Sequence, residues 1–366
     1  MAAYCDINLE SGALKMAIKM AIIGVGGMAG WHYDNVKGHV KGLEIVGGYD
    51  IREEAKKRMT ADWGIKSYNS PEEIYADKSI DLVLIATPND LHKSLSIACL
   101  EAGKHVLCEK PVTLNAKELE EVIAVAKKTG KIFTINQNRR WDKDYLTIRK
   151  ILADKMLGDV YNIESRVQGS RRLFGWRAFK PNGGGLLLDW GVHLLDQILD
   201  VIPEKITSVQ AHIHNVHHKE VDDAFTVLLR FENGCSVNVS ITTNCYIDLP
   251  RWHVSGTDGT AVILDWEQNG HVITLADPSI QDWEDAVIYT HAGPTHTMLP
   301  RPKYTTKKEA LPTVKGDWVD VYRNIVDVIN GNAELIITPE QALRVMKVID
   351  AAFESEKTGK AITEVI

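Results

Sequence analysis

Apolar residues follow two different rhythms along this chain. From residue 17 to about residue 136, short unbroken apolar runs alternate with amphipathic stretches. The runs at 17–23, 43–49, 65–68, 81–86, 105–107 and 131–135 predict six strands. The run at 81–86 is apolar at successive positions, as a strand buried on both faces requires. Between them, 52–62, 91–102 and 115–129 predict helices, and Gly103 and Gly130 stand where helix C-terminal caps belong. This alternation predicts a doubly wound parallel sheet. After about residue 140 the rhythm changes. A helix at 143–156 is followed by longer, alternating strands at 160–168, 209–214, 224–231, 236–244, 251–255 and 260–266. These suit a large, mostly antiparallel open sheet with helices on one face, and two late helices at 318–329 and 339–356 close the chain. The expectation is an α/β fold. A dinucleotide-binding type of sheet spans 17–137, a second α/β domain spans 138–366, and residues 1–16 are an arm of little functional weight.

Bulk properties narrow the classes. The 366 residues suit two domains. The formal net charge of -7, with no run of Lys or Arg, gives DNA, RNA or an anionic membrane nothing to bind. No stretch of apolar residues is long enough to cross a membrane, and Asp6 and Glu10 interrupt what a secretion signal would need. Five cysteines, an odd number without a CxxC pair, predict reduced thiols in a cytoplasm.

The first strand runs into Gly24-Val25-Gly26-Gly27-Met28-Ala29-Gly30, a GxGxxA pattern. Such glycines permit a tight turn and let backbone amides approach a pyrophosphate, with a helix N-terminus adding partial positive charge. Asp50 ends the second strand, where a carboxylate can accept hydrogen bonds from the adenosine ribose; its other role would be to cap the next helix. It favours NAD over NADP, and Arg52, beyond Ile51, can offset that preference.

Three further segments follow strand ends or open helices: Ala86-Thr87-Pro88-Asn89-Asp90-Leu91-His92, then Cys108-Glu109-Lys110-Pro111, then Gly183-Gly184-Gly185-Leu186-Leu187-Leu188-Asp189-Trp190-Gly191-Val192-His193-Leu194-Leu195-Asp196. In this order they resemble the glucose-fructose oxidoreductase/inositol dehydrogenase/rhizopine catabolism family over nearly all the chain from Met16. Gln137-Asn138-Arg139-Arg140-Trp141-Asp142-Lys143-Asp144 resembles its scyllo-inositol dehydrogenase-like branch. The resemblance implies a Rossmann domain, an NAD or NADP cofactor, a sugar or polyol substrate and a sheet-mediated homodimer or homotetramer. It also implies a cofactor site made of Gly24, Gly26, Gly27, Met28, Asp50, Ile51, Arg52, Thr87, Pro88, Asn89, His92, Glu109, Lys110, Asn138, Trp176 and Arg177.

Taking a hydride from a carbinol carbon requires removal of the hydroxyl proton. A group that titrates near neutrality suits this, which points to His193 as base. Asp189, four residues earlier on the same helical face, would hold one imidazole tautomer or bind a second substrate hydroxyl. Asp196 reads as structural. Lys110 offers a compact cation for the developing alkoxide and can share the proton transfer, with Glu109 tempering its charge. Either Lys110 or His193 could be the primary base. The glycine triplet would let backbone pass close to the substrate, or act as a flexible turn, and Trp141 and Trp176 could wall a sugar ring. Specificity would come from residues 166–180 and 245–251. His212, His214, His217 and His218 lack zinc spacing and read as the polar face of a strand and its turn, so no metal is expected. Beside a dehydrogenase, two other functions fit this pattern: a redox-neutral glycoside-cleaving enzyme, and a cofactor-binding regulator without catalysis.

Overall fold

The computed structural model describes residues 17–277, 279, 289–294, 301–364 and 366. The arm expected at 1–16 lies outside them. Strands β1 (Ile18–Ile23), β2 (Leu43–Tyr49), β3 (Lys66–Ser67), β4 (Leu82–Ile85), β5 (His105–Cys108) and β6 (Phe133–Ile135) form a parallel sheet in the order β3-β2-β1-β4-β5-β6. All four residues of β4 are fully buried, as the unbroken apolar run demands. Helices α1 (Gly27–Val36), α2 (Glu53–Lys57), α3 (Pro71–Ala76), α4 (His92–Glu101) and α5 (Ala116–Thr129) connect the strands. The expected 52–62 helix ends as a wider turn over Arg58–Asp62, and α3 was not expected. Asn115 caps α5 by accepting from the Glu118 amide, and Gly130 closes it in the left-handed region at φ 65°. Because β1 pairs with β2 on one side and β4 on the other, the connections reverse direction between β1 and β4. The crevice at the carboxyl ends of these strands is where open α/β sheets take ligands.

Helix α6 (Lys143–Ala153) leads into the second sheet. Its strands are β7 (Val160–Gln168), β8 (Ile206–His214), β9 (Ala224–Phe231), β10 (Ser236–Thr242), β11 (Trp252–Gly256), β12 (Gly259–Ile263), β13 (Gly270–Leu275) and an edge strand, Thr306–Glu309. Their order is Thr306–Glu309, β13, β12, β11, β7, β10, β9, β8. Only β7 and β10 pair in parallel. The two outermost strands on the β13 side were not expected from the pattern. Helices α7 (Val192–Val201), α8 (Asp320–Ile329) and α9 (Pro339–Thr358) complete the fold. Helix α9 starts with a capping box between Thr338 and Gln341 and packs on both β8 and α5, so the end of the chain touches both sheets.

A buried charge cluster fastens the segment after β6 to α7. Arg140, 5% exposed, forms a two-pronged pair with Asp196 at 2.7 Å through both prongs, and also reaches Asp200 at 3.0 Å. Tyr145 donates to Asp200 as well. Asp196 is therefore structural, as the sequence suggested. Replacing Arg140 by Leu leaves buried Asp196 and partly buried Asp200 without their cation. It is expected to cost about 3–5 kcal/mol, seen as a fall in the midpoint of chemical denaturation.

Candidate active site

The crevice after β1 and β4 opens into a cleft of about 820 Å³. Gly24 forms its floor at φ 92°, and a Cβ there would sit 2.7 Å from the Ala86 carbonyl, so only glycine fits this crossing. Gly27 leaves open space where a side chain would stand, and Gly26 only touches the Arg52 guanidinium, which exposes backbone beside the start of α1. Thr87 lines the same cleft with its hydroxyl buried and without a partner among the described residues, a polar atom suited to a bound ligand. These features fit a nicotinamide dinucleotide.

Most residues expected to hold the cofactor do line the cleft: Gly24, Gly26, Gly27, Met28, Asp50, Ile51, Arg52, Thr87, Pro88, Asn89, Glu109, Lys110, Trp176 and Arg177. Two do not. His92 is fully buried, its ring nitrogens 2.7 and 2.9 Å from the carbonyl oxygens of Pro111 and Thr87. It ties the two cleft loops together from below. Asn138 lies in the short turn Asn138–Trp141, off the cleft wall. Asp50 is more committed than expected. Its carboxylate accepts the Val25 amide at 2.7 Å and the Arg52 amide at 2.9 Å, and the Arg52 guanidinium clasps both oxygens at 2.9 Å. Burial opposes its charge, but these donors together hold the carboxyl below its usual range. It makes an Asx turn rather than the cap of α2.

At one end of the cleft the loops of the two sheets meet. Lys110 follows β5 and donates to Asp189 twice, at 2.8 Å to the carboxylate and 2.7 Å to the carbonyl oxygen. Arg177 donates to the other carboxylate oxygen at 3.0 Å. Burial would raise the Asp189 pKa, yet Lys110 and Arg177 outweigh it and hold the group ionised. Asp189 lies in a π-type turn, Leu187–Gly191, not on a regular helix with His193. The expected Asp189–His193 partnership is therefore replaced by another. The imidazole Nδ1 donates to Gln137 Oε1 at 3.0 Å, which leaves Nε2 as the acceptor nitrogen. His193 is 5% exposed. Burial first, then the charges of Lys110 and Arg139, push its pKa well below the ordinary histidine value, so it is neutral at pH 7.

Glu109 and Lys110 act on each other's charge without a direct bond between carboxylate and ammonium. The Glu109 carboxylate faces His32 Nε2 and Asn136 Nδ2, each at 2.7 Å, rather than the Lys110 ammonium; the Lys110 amide donates to its other oxygen. Burial opposes the charge on Glu109, and His32, Lys110 and Asn136 together outweigh it. His32 in turn meets the Tyr322 hydroxyl at 2.5 Å. The sequence reading missed His32, Gln137 and Tyr322. A polar residue at an inward position of α1 was the one available signal for His32. Gln137 opens the segment that resembles the scyllo-inositol dehydrogenase-like branch, but nothing in it marked a partner for His193, and nothing local marked Tyr322.

The glycine triplet is close-packed rather than flexible, and it passes against protein rather than an open site. A Cβ on Gly185, at φ 105°, would lie 2.1 Å from Asp222 Oδ1. Asp222 accepts the Leu187 amide at 2.7 Å and thereby holds the turn that carries Asp189; burial raises its own pKa to about 6. Of the regions expected to set specificity, Trp176 and Arg177 line the cleft. Arg251, by contrast, is buried on Ser165, Gln197 and Asp144 and is structural. Among the histidines set aside, His212 and His214 are exposed on β8, His217 meets Asn244, and His218 accepts the Leu173 amide. No three His, Cys, Asp or Glu side chains among the described residues form a metal-holding group. No helix among the described residues is long and apolar enough to cross a membrane.

Comparison with known proteins agrees with this geometry. Residues 18–137 match the model of the oxidoreductase family with an NAD-binding Rossmann fold, and residues 145–262 match the GFO/IDH/MocA C-terminal domain. The chain belongs to the GFO/IDH/MocA oxidoreductase family. Within that family it is 30% identical to scyllo-inositol 2-dehydrogenase (NADP(+)) of Bacillus subtilis, over 97% of this chain and 99% of that protein. It is 23% identical to D-glucoside 3-dehydrogenase of Escherichia coli, over 97% of this chain and 99% of that protein. A solved NAD-binding protein from Listeria innocua superposes with a TM-score of 0.88 at 40% identity, over 95% of this chain and all of the other. This GFO/IDH/MocA member therefore carries the family's NAD(P)-binding domain joined to its second α/β domain.

Proposed function

We propose that the protein is an NAD(P)-dependent dehydrogenase that oxidises a secondary hydroxyl of a sugar, glycoside or inositol, or runs the reverse reduction. The observation that carries this reading is the Lys110–Asp189 pair with neutral His193 beside it, at the end of a cleft shaped for a dinucleotide. When bound, the nicotinamide supplies the hydride acceptor or donor. The chain's own residues manage the proton. Neutral His193, its Nδ1 proton directed to Gln137, accepts the hydroxyl proton at Nε2. Lys110 donates to the same oxygen and stabilises alkoxide character as it develops. Asp189 fixes the Lys110 ammonium and is itself held by Arg177. Asp50 opposes a ribose 2′-phosphate, but the Arg52 guanidinium lies on it, so both NAD and NADP are admitted. The inositol and glucoside dehydrogenase names among the relatives support a polyhydroxylated ring as substrate.

Mixing the protein with inositols, aldoses and glycosides and with NAD or NADP is expected to produce the reduced nicotinamide band with at least one ring. A redox-neutral glycosidase would instead release product without net cofactor change, and a regulator would do neither. Lys110→Met is expected to lower kcat by about 10²–10³-fold, since an electrostatic donor is removed at the reacting oxygen.

The His193 shift also sets the pH dependence. Because its pKa is pushed below 6.5, the imidazole stays unprotonated as pH falls through 6.5. The acid limb of kcat/KM for alcohol oxidation is therefore expected below pH 6.5. A limb centred at or above the ordinary histidine value would remove His193 as the base.

A further inference from the structure

A second cavity, of about 600 Å³, falls within the roughly 300–1,000 Å³ range of ligand sites. Residues of this cavity and of the dinucleotide cleft both reach His193. Lys110 lines the cleft and Arg139 lines the second cavity, and both act on the imidazole. The Trp190 ring, also on the cavity wall, lies 6.0 Å from the His193 ring.

Four of the chain's nine tryptophans line this one cavity: Trp141, Trp190, Trp266 and Trp318. Trp266 and Trp318 are 41% and 38% exposed, an uncommon placement for the largest apolar side chains. The indoles are held by polar neighbours rather than by packing alone. The Arg139 guanidinium lies 4.2 Å from the Trp190 ring centre and 5.2 Å from that of Trp266, and the two rings are tilted by 53°. Arg139 donates to Asp142 at 2.7 Å, and the Trp318 ring nitrogen donates to the other Asp142 oxygen at 2.9 Å. These contacts fix the side chains of the wall on one another. Its charges balance: Lys143 and Arg171 join Arg139, while Asp144 and Asp317 join Asp142. Such a lining favours a neutral ligand over a phosphate or a carboxylate.

A pyranose meets all of these conditions. Its C–H face is apolar and stacks on an indole, and its rim of hydroxyls meets carboxylate and guanidinium groups. We propose that this cavity is a second-ring subsite. It takes a neutral pyranose joined by a glycosidic bond to the ring oxidised beside Lys110 and His193. The inference rests on the dehydrogenase reading and narrows its substrate to two-ring glycosides.

The test titrates the full-length protein, with saturating NADP, against glucose and against maltose, cellobiose, gentiobiose and trehalose, following tryptophan fluorescence. At least one disaccharide is expected to bind 10-fold or more tightly than glucose, a difference of about 1.4 kcal/mol. Trp266→Ala is expected to erase that advantage while leaving the glucose Kd within about twofold, and Trp266→Phe, which keeps an aromatic face, to retain most of it. The proposal is overturned if no disaccharide outbinds glucose, or if the advantage survives Trp266→Ala. Turnover is read separately from reduced nicotinamide. A protein that binds the disaccharide through Trp266 yet reduces no cofactor with any sugar overturns the dehydrogenase reading and upholds the subsite.

Discussion

The ion pair between Lys110 and Asp189 ties the two halves of this protein together at the end of the cleft. Lys110 leaves the carboxyl end of a strand in the parallel sheet; Asp189 belongs to a turn that leads into α7 beside the second sheet. Both groups are almost wholly removed from water, at 13% and 6% side-chain exposure. A buried charge without its partner costs several kcal/mol, so each makes the other's position obligatory. The pair therefore does two jobs. It fixes how the loops of one sheet face those of the other, and it leaves a directed ammonium at the end of a cleft suited to a dinucleotide.

Further buried contacts keep that arrangement in register. His32 and Asn136 hold Glu109, the residue before Lys110, and Tyr322 from α8 closes the chain of contacts. Below the cleft, His92 joins the loops after β4 and β5. On the opposite side, Asp222 holds the Leu187 amide, and Gly185 leaves no room for anything larger than hydrogen beside that carboxylate. Neutral His193 follows from the same constraint. Almost complete burial first, then two nearby cations, make its charged form costly, while the Gln137 amide oxygen selects the tautomer.

The second cavity extends this logic outward. Arg139 raises the cost of charging His193 and also clasps the Trp190 and Trp266 rings. One guanidinium thus couples His193 to an aromatic wall lined with balanced charge. The proposed proton acceptor and the proposed second-ring subsite share their supports.

The sequence by itself determined the parallel sheet, the glycine turn after β1, the loops after β4 and β5 and most of the cleft lining. These features are local: apolar runs mark buried strands, glycine marks a forced turn, and a residue just past a strand end must stand at the crevice. Tertiary structure alone decided which polar groups are partners. Asp189 and His193 lie four residues apart and would share a face of a regular helix, but a π-type turn breaks that register and sends Asp189 to Lys110. His32, Gln137, Tyr322 and the tryptophan wall gain their roles from contacts made far along the chain, such as the one between His32 and Tyr322. The pattern of apolar and polar positions records how much water each segment meets. It does not record which buried charge will meet which, because that depends on how two separately built sheets dock.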